Sequence, residues 1–338
     1  MSWLPPDDDE SDWSEEDVRI RPNPRGSRPR TKQRPDHSDA VPGRVLSVDR
    51  GRYTVMVDED GPTEHTVTAT RAKDLNRRAI VTGDLVDLVG DSSGSEGTLA
   101  RIVRIGERTT LLRRSADDTD PVERVIVANS DQLCVVVAAA DPEPRPRLID
   151  RYLVAAFDAG ISPLLVVTKT DVADPAPFLS QFAALGVPVI LSGRGAVPLV
   201  ALRAALKGHR TVAVGHSGVG KSTLVNALVP TADRATGKVN AVTGRGRHTS
   251  SSTVSLRLPG GGWVIDTPGI RSFGLAHVDP SRVVRSFPDL APVIAECPRG
   301  CTHREDAPDC ELDEAVAEDR VNAARVDSLR RLLASLSG

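Results

Sequence analysis

From residue 41 onward, the apolar and polar positions fall into two successive patterns. Val41 to Val48, Tyr53 to Asp58, Glu64 to Ala69, Asp84 to Val89 and Thr98 to Ile105 are short and rich in β-branched residues, with Gly, Asp and Pro between them. Five such strands within residues 41–106 predict a small β-barrel of the OB type, a common nucleic-acid platform. From Val122 the pattern changes. Val122 to Ala128, Leu133 to Ala139, Pro163 to Thr168, Pro188 to Ser192, Arg210 to Val214 and Gly262 to Asp266 are nearly continuous apolar runs, as expected of strands buried on both faces. Helical spacing separates several of them, over Leu148 to Ala159 and Phe178 to Leu185. Strand and helix in alternation predict an α/β fold with a parallel sheet. Cys134, inside Leu133 to Val137, reads as a buried small hydrophobe. Residues 107–120 read as a linker carrying Arg113, Arg114, Asp117, Asp118 and Asp120. Leu312, Val316, Val321, Ala324, Leu329, Leu332 and Leu333 predict one helix over 311–336.

Composition sets the class. With 338 residues, 39% hydrophobic and 26% charged, the chain has room for two or three ordinary globular domains. No apolar run approaches a membrane span, and Met-Ser-Trp-Leu-Pro-Pro followed by acids does not fit a signal peptide, so a cytoplasmic protein is expected. The net charge of −3 hides a local asymmetry. Residues 7–17 hold eight acids and no base, and residues 19–34 hold seven bases and no acid. Residues 1–40 therefore read as an unfolded tail. It is either a solubilising segment whose blocks pair with each other or a basic arm for RNA phosphates that the acids compete for. Tyr53 is the only aromatic residue of the barrel stretch. RNA bound there would be held by charge, from Arg44, Arg50, Arg52, Arg71, Lys73, Arg77 or Arg78.

The candidate chemistry centres on Gly215-His216-Ser217-Gly218-Val219-Gly220-Lys221-Ser222, a match to G-x-x-x-x-G-K-[ST]. A strand, Thr211 to Val214, precedes it, and a helical run from Ser222 through Thr223 to Val229 follows until Pro230. Glycines let backbone N–H groups turn toward phosphate, and the helix N-terminus adds partial positive charge. Lys221 would meet the β- and γ-phosphates and Ser222 would hold Mg²⁺. Asp266-Thr267-Pro268-Gly269 follows another strand, so Asp266 is a second Mg²⁺ candidate and the Gly269 N–H can approach a γ-phosphate. Thr168-Lys169-Thr170-Asp171 is similar to the guanine-recognition motif Asn-Lys-x-Asp, with Ser192 starting a companion loop. The Asp171 carboxylate can accept from two guanine donors that adenine lacks. This base motif begins 47 residues before Gly215, the reverse of the Ras-like order, so the domain reads as circularly permuted. Within the polar run Gly244 to Thr253, Thr249 is the candidate switch threonine on Mg²⁺. Ile270 stands where Ras-like enzymes carry the water-orienting Gln, which leaves His248 as the candidate replacement. Cys297, Cys301, His303 and Cys310 gather three thiols and one imidazole in 14 residues, a set suited to structural Zn²⁺.

Barrel, permuted motif order and Cys₃His cluster together resemble the ribosome small-subunit-dependent GTPase A family (RsgA, also called YjeQ) over roughly residues 41–335. The resemblance implies a circularly permuted Ras-like P-loop GTPase domain, preceded by an OB-type barrel and followed by a mainly helical zinc-binding domain. The expected boundaries are 1–40, 41–106, 107–278 and 279–338. It also implies GTP hydrolysis to GDP and phosphate late in small-subunit assembly. The subunit would stimulate hydrolysis, hydrolysis would favour release, and the barrel and zinc module would grip ribosomal RNA. It supports His248 as the catalytic candidate beside Lys221. No membrane partner is expected, and the chain is expected to be a monomer. Two departures stand out: Thr168 replaces the usual Asn, and the Cys297–Cys301 gap is one residue short of the commoner spacing. The rival readings are a P-loop ATPase or small-molecule kinase, and an RNA-binding factor that holds GTP only as a structural ligand.

Overall fold

Strands β1 (Val41–Asp49), β2 (Arg52–Val57), β3 (His65–Arg71), β4 (Leu85–Gly90) and β5 (Ala100–Ile105) form the expected barrel. The computed structural model describes residues 37–73, 75, 78–114, 124–230, 253–267 and 274–337. The acidic and basic blocks of the tail, Arg77, His248, Thr249, Gly269 and Ile270 lie outside the described residues. The chain divides into Met1–Ser38 and Asp39–Gly338, and all the named strands and helices belong to the second unit. Alternation builds the barrel. Val55, Val67, Ala69, Val86, Leu88 and Ile102 fill its interior, while Arg52, Thr66, Thr68 and Arg101 are exposed. The strand order β1-β2-β3-β5-β4 closes where β4 returns to β1, which leaves no open edge within it. Only the β3–β5 pairing is parallel. Tyr53 is buried in this core and offers no ring for base stacking. Of the candidate RNA-binding arginines, Arg44 is occupied by Glu59 at 2.7 Å, whereas Arg50, Arg52 and Arg78 are exposed.

His65 ties two barrel loops together. Its ring nitrogens lie 2.7 Å from the Thr63 carbonyl and 2.8 Å from the Ser92 carbonyl. Only an imidazolium can donate to both, and the Thr63 and then the Ser92 contact hold its pKa above the ordinary value. The stabilisation is therefore complete below the unfolded pKa of about 6.5 and is lost as pH rises through the higher folded value. An NMR titration should place His65 above 6.5, with amide protection in residues 91–95 falling over the same range.

The linker expected over 107–120 is in part a strand. β6 (Leu111–Arg114) pairs antiparallel with β7 (Arg124–Ala128), and Leu112 and Val127 are fully buried. Beside it, Arg108 closes on the fully buried Asp84, with Nε to Oδ1 at 2.6 Å and Nη2 to Oδ2 at 2.8 Å.

The nucleotide-side sheet runs β10 (Val189–Ser192), β9 (Ser162–Thr168), β8 (Gln132–Ala138), β11 (Arg210–Val214), β13 (Trp263–Asp266), β12 (Val254–Arg257). The first five are parallel, and β12 is antiparallel to β13. Both faces are covered, which explains the continuous apolar runs. Leu133, Val135 and Val137 of β8 face α1 (Pro146–Ala159), which buries Ile149, Tyr152 and Leu153. Cys134, Val136 and Ala138 face α3 (Leu199–Leu206) and α4 (Lys221–Leu228). The helix expected over 178–185 is a short α2 (Ala176–Leu179) running into a 3₁₀ turn, Ser180–Leu185. The sheet continues into the barrel through Ser47 opposite Val254. There Leu46 and Met56 pack with Trp263, and Arg257 stacks on Trp263 while pairing with Asp60 and Glu64.

The C-terminal region adds α5 (Pro280–Arg285), α6 (Ala291–Ile294), α7 (Glu311–Ala317) and α8 (Ala323–Ala334). The single helix expected over 311–336 breaks at Asp319, which has φ 57°. It restarts at Asn322, whose side chain accepts from the Arg325 N–H at 3.2 Å. This region shares one core with the α1 face of the sheet, through Phe287, Leu312, Val326, Leu329 and Leu332. Arg325 stacks over Phe287 and pairs with Asp289 through two nitrogens, at 2.8 and 2.9 Å. Arg331 reaches both carboxylate oxygens of the buried Asp150 at 3.1 Å and stacks over Phe182. Burial pushes the Asp150 carboxyl up, against the pull of Arg331. Arg331→Ala should lower unfolding stability by about 3 kcal/mol in denaturant titrations, because Asp150 is left buried without its partner.

Candidate nucleotide site and metal centre

Parallel sheets open ligand crevices at the carboxyl ends of their strands, and the candidate residues gather there. Gly215 leaves β11 in close contact with β8; a Cβ on it would stand 2.5 Å from the Val136 carbonyl oxygen. Val219 turns into the core and is 3% exposed, which anchors the loop from inside. Gly220 has φ 92° and begins α4, where no side chain caps the helix. The first N–H groups of α4 are therefore left to a ligand. Lys221 pairs with Asp266, 45 residues onward at the end of the neighbouring β13. The two residues expected to serve phosphate and Mg²⁺ thus meet in one place. Thr267 is buried, and its hydroxyl donates to the Ala213 carbonyl at 2.8 Å, fixing that strand end.

The base motif lies across the loop from this pair. Thr168 ends β9 and is 7% exposed. Its hydroxyl donates to the Val219 carbonyl at 2.5 Å, with the Val137 carbonyl also in range at 3.1 Å. The departure from Asn therefore keeps a hydrogen bond between the base motif and the phosphate loop. Lys169, at φ 57°, sends Nζ to the Asp141 carbonyl. Asp171 accepts from the Arg194 backbone N–H at 2.7 Å, so the loop after Ser192 orients the carboxylate. Between these groups lies a cavity of about 360 Å³ lined by Asp141, Thr168, Lys169, Ser192, Arg194, Gly220 and Thr223 among others. That volume lies within the range of small-molecule sites, roughly 300–1,000 Å³. Asp141 and Arg194 were not singled out from the sequence. The usable signal was position, since both follow the ends of parallel strands at the crevice.

Cys297, Cys301, His303 and Cys310 also come together, with ligand atoms all within 4.8 Å of one another. Cys297 and Cys301 follow α6, and Cys310 is the N-cap of α7. The set fits Zn²⁺ on two counts. It is a Cys₃His group of the right number and softness, and His303 Nδ1 is buried without a hydrogen-bond partner. Burial pushes the Cys297 thiol up to about 12 and raises Cys310 as well. No helix among the described residues is long and apolar enough to cross a membrane.

Comparison with known proteins agrees with this arrangement. The chain is 39% identical over 269 residues to the small ribosomal subunit biogenesis GTPase RsgA of Pseudomonas aeruginosa, covering 77% of each chain. It is 41% identical over 269 residues to RsgA of Pseudomonas syringae, covering 77% of this chain and 76% of that one. Its fold matches the crystal structure of YjeQ from Thermotoga maritima with a TM-score of 0.65 at 24% identity, over 88% of this chain and 99% of that one. It also matches YloQ, a circularly permuted GTPase, with a TM-score of 0.64 at 24% identity, over 89% and 96%. Residues 105–276 match the RsgA GTPase family, and with the relatives' identity over most of the chain this establishes that the protein belongs to that family.

Proposed function

We propose that this chain hydrolyses GTP as a late factor in assembly of the small ribosomal subunit, which stimulates hydrolysis and is released after it. The family is a GTPase family, and the curated relatives bear the name of small-subunit biogenesis. The observation that carries the chemistry is the meeting of Lys221 with Asp266 beside a base motif bonded to the same loop through Thr168.

In this reading the backbone from Gly215 through His216, Ser217, Gly218, Val219 and Gly220 to Thr223 cradles the phosphates, and Lys221 offsets their charge. Thr168, Lys169, Asp171 and Ser192 hold guanine, and the Gly269 N–H meets the γ-phosphate. Ser222, Thr249 and Asp266 would hold Mg²⁺, which would supply positive charge against the phosphates. On GTP binding Lys221 would exchange Asp266 for phosphate. Cys297, Cys301, His303 and Cys310 hold one structural Zn²⁺. The working units are the tail 1–40, the barrel 41–106, the GTPase domain 107–278 and the zinc-binding domain 279–338. Ribosomal RNA would meet the barrel at exposed arginines such as Arg50 and Arg52. In this reading the chain works in the cytoplasm and as a monomer.

The test compares GTPase rate with and without purified small subunits, alongside co-sedimentation with a non-hydrolysable GTP analogue. Stimulation and co-sedimentation are expected, and the absence of both would refute the ribosomal reading. His248→Ala should lower the single-turnover rate on saturating subunits by about 100-fold while GTP binding is kept. An unchanged rate would remove His248 from the mechanism.

A further inference from the structure

Arg330 is largely buried, and its ordinary ion pair does not account for it. Its side chain is 15% exposed, and only Nη1 has a carboxylate partner, Asp313 Oδ1 at 2.8 Å. Nε and Nη2 are buried without any hydrogen-bond partner. Asp313, which holds Nη1, has its own backbone N–H on the Cys310 carbonyl at 2.9 Å, so the guanidinium is carried next to the ligand cluster, where its charge acts on Cys310 and His303. Buried donors are nearly always satisfied, and an orphan marks a strain, an ion or an unfilled role. Here the unfilled role has a chemical identity. Three thiolates and a neutral imidazole around Zn²⁺ leave one net negative charge, held in a half-buried pocket. A guanidinium beside one sulfur offsets that charge and supplies N–H donors to a thiolate, a far better acceptor than a thiol.

We infer that Arg330 is the positioning residue of the Cys297–Cys301–His303–Cys310 centre, donating to the Cys310 thiolate of the loaded site and balancing its charge. Asp313 holds the guanidinium from the other side, so α7 and α8 are joined at the metal rather than by apolar contact alone. Arg330 sits one residue before Arg331, which anchors the same helix to Asp150. The two neighbours divide the work: one fastens α8 to the GTPase core and the other fastens it to the metal loop. The inference rests on the zinc reading above and adds a residue to it that is not a ligand.

The experiment loads the full chain with one equivalent of zinc and follows its release to an excess of chelator, read by a metal-sensitive dye. Arg330→Gln should release zinc roughly tenfold or more faster than the native chain, the usual scale for losing an outer partner of a ligand. Arg330→Lys keeps the charge and should recover part of the loss. It should also shift the thiolate charge-transfer band of the cobalt-substituted chain, a readout that does not need Arg330→Gln to fold. Arg331→Ala is the control for simple helix docking and should lower the thermal midpoint with near-native zinc release. Native release from both Arg330 variants, or equal acceleration by Arg331→Ala, overturns the role of Arg330. A native chain that holds no zinc overturns the metal reading itself, and Arg330's role with it.

Discussion

Asp171→Asn should convert the site from one that prefers guanine to one that prefers xanthine. The carboxylate offers two acceptors to the guanine ring N–H and exocyclic amine, and an amide in its place points N–H at N–H. Xanthine carries a carbonyl where guanine has the amine, so it restores the pairing. Sites built to hydrogen-bond a substrate group reject analogues that lack it by factors on the order of 10⁴, because the buried partner is left unpaired. The shift in GDP-to-xanthosine-diphosphate preference should approach that size. The surroundings favour a clean result. Asp171 is oriented by the Arg194 backbone N–H rather than by a side chain, and an asparagine carbonyl can accept that same bond. Competition of GDP, xanthosine diphosphate and ADP against a fluorescent GDP reads the outcome. A variant that still prefers GDP contradicts the role of Asp171, and a native chain that binds ADP as well as GDP favours the ATPase reading.

What could be read from the sequence follows the strength of local patterning. The inner strands of the parallel sheet were visible because they are buried on both faces, as all seven residues of β8 are. The edge strand β10 exposes Val189 and Leu191 and was visible only as an apolar run, and Val122 to Ala128, read in the same series, pairs antiparallel with β6 instead. The barrel was visible through its turns and its period of two. The arms that escaped are those with one buried side chain or few residues. β6 is Leu-Leu-Arg-Arg, and only Leu112 is fully buried, so its arginines read as linker. β12 is Val-Ser-Leu-Arg directly after a polar run, too short to separate from it. The break between α7 and α8 lies in Glu318 to Asn322, where apolar spacing before and after stays compatible with one helix; Asn322 as a cap was the overlooked sign. The site was legible residue by residue, since loop, base motif and ligand set each carry their own spacing. Its assembly was not. Nothing local in the sequence says that Thr168 bonds Val219, that Lys221 meets Asp266, or that Arg331 reaches Asp150. Those pairings depend on the strand order, and the permuted chain brings them together across 45 to 181 residues.

Removing the metal should loosen one part of the C-terminal region and leave another in place. Residues 295–310 contain no helix or strand; besides turn hydrogen bonds and the ligand cluster, the stretch is held by the burial of Ala307 and by single contacts of Arg304 with the Leu333 carbonyl and of Glu296 with Arg320. Structural zinc supplies folding free energy, on the order of 10 kcal/mol where a small module has little else. Here α8 has a great deal else. It shares the core of the GTPase sheet and is clipped by Arg325 to Asp289 and by Arg331 to Asp150. The stabilisation lost on chelation should therefore concentrate in the loop and in α7, whose N-cap is Cys310. Hydrogen exchange after chelation should show protection collapsing over residues 295–317 and persisting over 323–334 and in the parallel sheet. GTP affinity should change less than threefold, because no ligand cysteine lies in the crevice. If residues 323–334 lose protection together with the loop, the arginine clips are too weak to hold α8. The helix would then depend on the metal, and the C-terminal region would respond to zinc as a single cooperative unit.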